Sequence, residues 1–324
     1  MIARFPTAED HRRRLTCVLP LLLAIIAAPA CGEAPRAEVN SPKERTYAEI
    51  EAKLRPLATK LGKPQPGEWL AEHKENGQTF AQYLAAKPVR KSSELTTIYL
   101  CLLGEFTPEQ QRVLELTQKY LELFYRSPVK IHREFALTDV PARARRKHPT
   151  LGMEQIQTGY VLNEVLLPTR PQDALAYIAF TSSDLYPDEK WNFVFGQASL
   201  RDRTGIWSIQ RTGDPAASNG AFRQCLRRTM HTASHETGHI LTIQHCTAFA
   251  CNMNGVNSLP EADQRPLHLC PVCLRKVLWN LQADPDAYLS ALEQFCVEQK
   301  LDEEARWYAA ARERLKTSEK SPLP

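Results

Sequence analysis

Residues 235–245 read His-Glu-Thr-Gly-His-Ile-Leu-Thr-Ile-Gln-His, and this stretch constrains the fold and the chemistry more than any other. His235 and His239 are four positions apart, so on a helix they share one face and both imidazoles can bind one zinc ion. A third histidine, His245, can complete the set only if the helix ends and the chain turns back. Three protein nitrogens leave a fourth position open for water, which is typical of a catalytic zinc site. Glu236 is then placed to accept a proton from that water, and the pattern predicts zinc-assisted hydrolysis of a peptide bond.

Cysteines follow this motif in two closely spaced pairs. The first pair is Cys246 and Cys251, and the second is Cys270 and Cys273. Four thiolates with close spacing inside each pair are what a tetrahedral, closed zinc site needs. Two disulfides are the alternative, because an exported chain would meet oxidising conditions.

Taken together, the two motifs resemble the archaemetzincins, a metzincin branch of the zinc-dependent metallopeptidases. The family pattern is a three-histidine motif that runs directly into a Cys, a second Cys, a Met and a later Cys-x-x-Cys. The resemblance covers roughly residues 95–280. It continues outside the motif in three segments, Asp184–Pro187, Trp191–Ser199 and Glu261–Leu267.

The resemblance implies a role for each residue of the motif. The catalytic zinc would be bound by three imidazoles, those of His235, His239 and His245. The general base would be Glu236, and the methionine of the turn beneath the site would be Met253. A second, structural zinc would be bound by four thiolates, those of Cys246, Cys251, Cys270 and Cys273. The implied cofactors are therefore two Zn²⁺ ions, and the implied activity is that of a zinc metallopeptidase, with aminopeptidase activity as one form, acting on a peptide or protein substrate.

One position departs from the family pattern. Where the family has glycine three residues after the second histidine, this chain has Thr242. Glycine suits a tight turn with positive φ at a helix end, whereas a β-branched residue in that conformation costs about 1–3 kcal/mol. Either the turn uses a different geometry, or the zinc and the adjacent cysteine site hold a strained one. The position of His245 depends on which alternative holds.

The N-terminus has the pattern of an export signal. Three arginines at 12–14 precede a short apolar core at 15–27, and Ala-Pro-Ala at 28–30 stands directly before Cys31. An ordinary signal peptidase would release a soluble chain. A bacterial-type lipoprotein peptidase would leave a lipid on Cys31 and attach the chain to a membrane, and we favour this second interpretation. In both cases we expect an exported protein, either lipid-anchored at the cell envelope or secreted.

The net charge and the export signal also help to judge functions other than that of a peptidase. The formal net charge is +4, with 41 Lys and Arg against 37 Asp and Glu. This balance argues against a dedicated nucleic-acid binder, which usually has a concentrated basic patch. The main alternative to an active peptidase is a catalytically weak or inactive, zinc-stabilised peptide-binding protein. An interaction or nucleic-acid module built on the four cysteines is a third class, and the leader argues against it. The oligomeric state is left open.

Hydrophobic patterning and the resemblance together predict an α+β fold. A zincin- or metzincin-like catalytic domain at 93–282 would have a mixed twisted sheet and an active-site helix, with a helical C-terminal part carrying the four-cysteine site. The flanking segments are a signal peptide at 1–30, a flexible tether at 31–43, a helical N-terminal extension at 44–92 outside the catalytic domain, and C-terminal helices with a disordered tail at 283–324.

Individual elements follow from local patterns. Continuous apolar runs predict buried strands at Thr97–Leu103 and Ala174–Thr181, and Val129–Leu137 is expected to form a further strand. Thr107 as N-cap, Pro108 at the first position and Gln110 as the return partner predict the start of a helix. Further short strands are predicted at 192–197 and 206–210. Further helices are predicted over Met153–Leu167, Cys225–Leu241, Pro271–Leu281, Pro285–Glu298 and Asp302–Lys316.

Overall fold

A computed structural model describes residues 42–317, with side chains from residue 46 onward. The predictions for the signal peptide, for most of the tether, for lipid attachment at Cys31 and for the end of the tail fall outside these residues. The strands are β1 Thr97–Leu103, β2 Val129–Phe135, β3 Arg145–Lys147, β4 Glu154–Gln157, β5 Ala174–Thr181, β6 Asp184–Tyr186, β7 Gly196–Ser199 and β8 Thr204–Ser208.

Helices precede, connect and follow these strands. They are α1 Pro42–Leu54, α2 Trp69–Glu72, α3 Phe80–Ala85, α4 Pro108–Tyr125, α5 Thr158–Tyr160, α6 Leu167–Thr169, α7 Asn219–Ile240, α8 Leu259–Asp263, α9 Pro271–Leu281, α10 Pro285–Glu298 and α11 Asp302–Lys316. A π-helical segment, Val161–Leu166, joins α5 to α6. The three C-terminal helices have the bounds that the sequence predicts.

The main sheet is mixed, as predicted, with strand order β2-β1-β5-β8-β7. The first four strands are parallel and the outermost strand, β7, is antiparallel to β8. The central strands β1 and β5 were predicted from their apolar runs, and both are confirmed at the predicted bounds. Every residue of β5 is buried, as expected for a strand covered on both faces.

Helices cover both faces of this sheet. On one face, α4 packs against α7, and their side chains share a core with alternate residues of the central strands, such as Ile98 and Leu100. On the other face, the helical stretch at 158–169 packs against Cys101 and Leu103. Because α7 contacts β7 and β8, the sheet fixes the helix that carries the histidine motif.

Local chemistry explains where the main helices begin. α4 begins with the predicted capping box, in which Thr107 Oγ1 accepts from the backbone N–H of Gln110 and the Gln110 side chain accepts from the N–H of Thr107. α7 begins earlier than predicted, at Asn219, because the Ser218 side chain accepts a hydrogen bond from the N–H of Ala221. A serine at this position satisfies one of the free N–H groups of the first turn.

One helix prediction and two strand predictions were wrong in part. The helix predicted over Met153–Leu167 begins only at Thr158, because the residues before it form strand β4 in a small second sheet with β3 and β6. In that strand Gln155 is buried and donates to Asp184 and to the Asn192 carbonyl. The short strands predicted at 192–197 and 206–210 are displaced to β7 and β8.

Within residues 42–317, no helix is both long enough and apolar enough to cross a bilayer.

Candidate metal centre and active site

The last two turns of α7 carry His235 and His239 on one face, with their ring centroids 4.5 Å apart. Each ring is oriented by a hydrogen bond from Nδ1 to a backbone carbonyl. His235 Nδ1 lies 2.8 Å from the Asn252 oxygen, and His239 Nδ1 lies 2.7 Å from the Ile243 oxygen. With Nδ1 as the donor, Nε2 of each ring carries the lone pair that a metal needs.

The chain turns back after α7, and Thr242 adopts the left-handed conformation with φ of +70°. The N–H of Thr242 donates to the His239 carbonyl at 2.7 Å, and the N–H of Ile243 donates to the Gly238 carbonyl at 3.0 Å, which closes the helix end. The sequence left open whether the turn has a different geometry or a strained left-handed residue, and the structure has the strained residue. The turn brings the ring of His245 to 4.8 Å from that of His239.

Residues of the N-terminal extension support this turn. The Val89 N–H donates to Thr242 Oγ1 at 3.2 Å, and Gln78 Nε2 donates to the Thr242 carbonyl at 3.2 Å. Tyr83 donates its hydroxyl to the Leu241 carbonyl at 3.1 Å. Although the sequence places residues 44–92 outside the catalytic domain, this extension contacts the candidate site directly.

The three histidines can hold one metal ion. One nitrogen from each of His235, His239 and His245 lies within 4.8 Å of the others, and all three residues are buried. The Nε2 atoms of His235 and His245 have no hydrogen-bond partner among the described residues. Buried polar atoms normally have a partner, and a zinc ion would satisfy them. Burial is the main cause of a low pKa at both rings, and the charge of the neighbouring histidines is the second cause. The pKa of His239 is lowered to about 3, and that of His235 well below its ordinary value. Both rings are therefore neutral, as metal ligands must be.

Glu236, the residue after His235 in α7, is fully buried. Neither carboxylate oxygen has a hydrogen-bond partner among the described residues, and burial raises the pKa of Glu236 to about 7. An acid in such an environment is a candidate for proton transfer.

The four cysteines of the motif form a second cluster. Their sulfur atoms lie within 4.8 Å of one another and all four residues are buried. Cys246 Sγ is 3.7 Å from Cys270 Sγ, whereas a disulfide requires about 2.05 Å. Tetrahedral zinc with bonds of about 2.3 Å would separate its sulfur ligands by about 3.8 Å, so the arrangement fits zinc rather than two disulfides. Hydrogen bonds from the other three thiols lower the pKa of Cys246.

Met253 packs against Gly238, the residue of α7 that precedes His239. A β-carbon added to Gly238 would lie 2.6 Å from Met253 Sδ. The Met253 carbonyl accepts from the N–H of Cys246 at 2.7 Å. This methionine therefore packs on the active-site helix and also connects to the loop that follows His245.

One group that contacts the site was not identified from the sequence. Both oxygens of Glu75 lie about 3 Å from His245 Nδ1, at 3.0 and 2.9 Å. Glu75 is 170 positions from His245 in the chain and belongs to no motif, so only the tertiary structure brings the two together. The carbonyl partners of His235 and His239 are backbone atoms and leave no trace in the sequence either.

Comparisons with known proteins show the family to which the chain belongs. Residues 172–278 match the model of Peptidase family M54. The chain is 33% identical over 244 residues to Archaemetzincin-2 of Macaca fascicularis, covering 65% of this chain and 67% of that protein. It is 31% identical over 272 residues to Archaemetzincin-2 of Homo sapiens, covering 74% of this chain and 75% of that protein. The crystal structure of archaemetzincin from Methanopyrus kandleri matches with a TM-score of 0.47 at 23% identity, covering 60% of this chain and 99% of that one. A structural overlap of this extent adds nothing to the sequence matches.

A zinc metallopeptidase is the class of protein that these matches define. The chain belongs to the archaemetzincin family, as its sequence motifs predict, and its substrates are peptides or proteins.

Proposed function

We propose that the chain hydrolyses peptide bonds at a zinc ion bound by His235, His239 and His245, with Glu236 as the general base. The observation that carries this proposal is the convergence of three buried imidazole nitrogens. It is supported by the buried carboxylate of Glu236, the residue next to His235, which lacks a hydrogen-bond partner among the described residues. We further propose that the four-cysteine cluster binds a second, structural zinc, and that Met253 forms the turn beneath the catalytic site.

A zinc ion at the histidines would lower the pKa of water and stabilise negative charge on the substrate carbonyl oxygen. The chain's own groups supply the remaining steps. The Glu236 carboxylate accepts the proton of the attacking water and then donates it to the leaving amine. Backbone carbonyls hold His235 and His239 in the orientation that leaves Nε2 for the metal.

The outermost strand, β7, is the proposed docking site for an extended substrate. It pairs with β8 along one edge only among the described strands, and it contacts α7, the helix that carries the motif. An extended peptide can add to a free strand edge through backbone hydrogen bonds. A substrate bound in this way would extend the sheet beyond β7, next to the active-site helix.

Replacing Glu236 by glutamine tests the central role, because the side chain keeps its shape and loses its basicity. We expect zinc content to stay as in the wild type and turnover to fall by about 10²–10⁴-fold, measured on a mixed peptide library read by mass spectrometry with and without a chelator. Near-full activity of Glu236→Gln would contradict the proposal. A wild-type protein that binds zinc but cleaves nothing would instead favour the inactive peptide-binding alternative.

Aminopeptidase activity is the form of cleavage we propose. The support is burial, since His235, Glu236 and His239 have no exposed surface and His245 is only 2% exposed. A chain end reaches buried groups more readily than the middle of a polypeptide does. N-acetylation should therefore abolish cleavage of peptides whose free-amine forms are substrates, and equal cleavage of both forms would contradict this proposal.

For the N-terminus we propose processing before Cys31 and lipid attachment to that residue. Mass analysis of the mature chain from its native host should give an N-terminal Cys31 carrying acyl chains. An unmodified Cys31 at the N-terminus would support the ordinary signal peptidase instead.

A further inference from the structure

We propose that Glu75 is a positioning residue for the third zinc ligand, His245, so that the N-terminal extension forms part of the metal centre. This inference rests on the proposed function, because it takes His245 to be a ligand. His235 and His239 have neutral backbone carbonyls as partners of Nδ1. Among the three histidines, His245 has the carboxylate, with both oxygens of Glu75 within 3.0 Å of Nδ1.

His245 needs an external partner more than the other two histidines do. It lies beyond the end of α7, after the left-handed turn at Thr242, so the helix does not fix its ring. A carboxylate at Nδ1 requires that nitrogen to carry the proton, and Nε2 is then left as the metal ligand. The edge of the Trp69 ring, at 5.1 Å between centroids, limits the rotation of the imidazole.

The segment that carries Glu75 is fixed to the loops around the metal centre. The backbone N–H of Trp69 donates to a Glu261 oxygen at 3.0 Å. The Trp69 ring lies against Gly255, where an added β-carbon would be 2.4 Å from the ring atom Cδ1. On the other side of Glu75, Gln78 Oε1 accepts from the N–H of Gln244 at 3.3 Å. The carboxylate is therefore held by its backbone on both sides before a metal binds.

The negative charge of Glu75 should also strengthen zinc binding at the histidines. Three neutral imidazoles leave the charge of a zinc ion uncompensated, and Glu75 supplies a negative charge one ring away from it. Its side chain is 23% exposed and that of His245 is 2% exposed, so water screens the interaction only in part. Carboxylate partners of ligating histidines make the ring more basic, and their loss weakens metal affinity by about 10–100-fold.

The test measures metal binding rather than turnover. Full-length wild type, Glu75→Gln and Glu75→Ala are titrated with Zn²⁺ against a chelator. Both candidate metal sites are also loaded with Co²⁺, so that the d–d absorption reports ligand geometry at the histidines and the thiolate-to-cobalt bands report the four-cysteine site. We expect the zinc dissociation constant of the histidine site to rise about 10–100-fold in Glu75→Ala and by a smaller factor in Glu75→Gln, which keeps an acceptor oxygen but loses the charge. Both variants should shift the cobalt spectrum, while the thiolate-to-cobalt bands of the four-cysteine site stay unchanged.

Glu72→Gln is the matched control, because Glu72 lies in the same segment and accepts a hydrogen bond from Asn257 rather than from a histidine. It should match the wild type in zinc affinity and in cobalt spectrum. If Glu75→Ala destabilises the whole protein, the zinc affinity and cobalt spectrum of the shape-conserving Glu75→Gln variant decide the test. An unchanged dissociation constant and spectrum in Glu75→Gln and in every folded Glu75→Ala sample would overturn the inference. Failure of the proposed function would give a different result from failure of this inference, because the wild type itself would then bind no metal at the histidines.

Discussion

Gly238 of the active-site helix and Met253 pack so closely together that no β-carbon fits between them. A methyl group on Gly238 would lie 2.6 Å from Met253 Sδ, 3.0 Å from its Cε and 3.5 Å from the Tyr125 hydroxyl. Met253 is 1% exposed, so its side chain cannot move into solvent to make room. The glycine inside the histidine motif is therefore needed for packing against the loop below.

Replacing Gly238 by alanine should destabilise the protein by about 1–3 kcal/mol, the usual range for overpacking a tight core. Because His239 is the next residue, the displaced helix should also weaken zinc binding at the histidines. Thermal unfolding and zinc titration measure the two effects. Met253→Ala combined with Gly238→Ala removes the clash, so a double variant no better in zinc affinity than Gly238→Ala would contradict this explanation.

Thr242 is strained but hydrogen-bonded, and two substitutions separate these effects. Thr242→Gly relieves a conformation that costs about 1–3 kcal/mol and loses a hydrogen bond worth about 1 kcal/mol, so we expect unchanged or higher stability. Thr242→Val keeps the strain and leaves the Val89 N–H without its acceptor, which should cost about 1–3 kcal/mol. Chemical denaturation of both variants checks the order, and a glycine variant less stable than the valine variant would contradict it.

These sites show which parts of the structure local sequence can predict. The start of α4 depends on Thr107, Pro108 and Gln110, which are neighbours in the chain, and the prediction there was confirmed. Strand β4 was predicted as helix because its conformation depends on pairing with β6, about 30 residues away. The same limit applies to the site, since Glu75 meets His245 only through the fold.

The four-cysteine cluster should stabilise the fold by binding zinc. Cys270→Ser removes one ligand, and we expect the loss of one zinc per chain and a destabilisation of several kcal/mol, because structural zinc contributes directly to folding free energy. Cys101→Ala is the control, since Cys101 is buried in β1 outside the cluster. Equal zinc content in Cys270→Ser and Cys101→Ala would exclude a zinc site at these cysteines.

Asp263 ties α8 to the active-site helix through two contacts with Arg228, at 2.8 and 2.5 Å. The hydrogen bonds from Arg228 hold the pKa of Asp263 below its ordinary value. A carboxylate with a lowered folded-state pKa contributes stability above its unfolded pKa of about 3.9, and this contribution is lost as the pH falls through the folded value. Asp263→Asn should therefore cost about 1 kcal/mol at neutral pH, allowing for partial exposure. The difference from wild type should shrink below pH 4, and a difference independent of pH would contradict this assignment.

Zinc content per chain, measured by elemental analysis of the full-length protein, tests the central claim most directly. The wild type should bind two zinc ions, and a variant with alanine at both His235 and His239 should keep one, at the cysteines. Equal stoichiometry in the two proteins, or a wild type without bound transition metal, would show that the three histidines do not form a metal site.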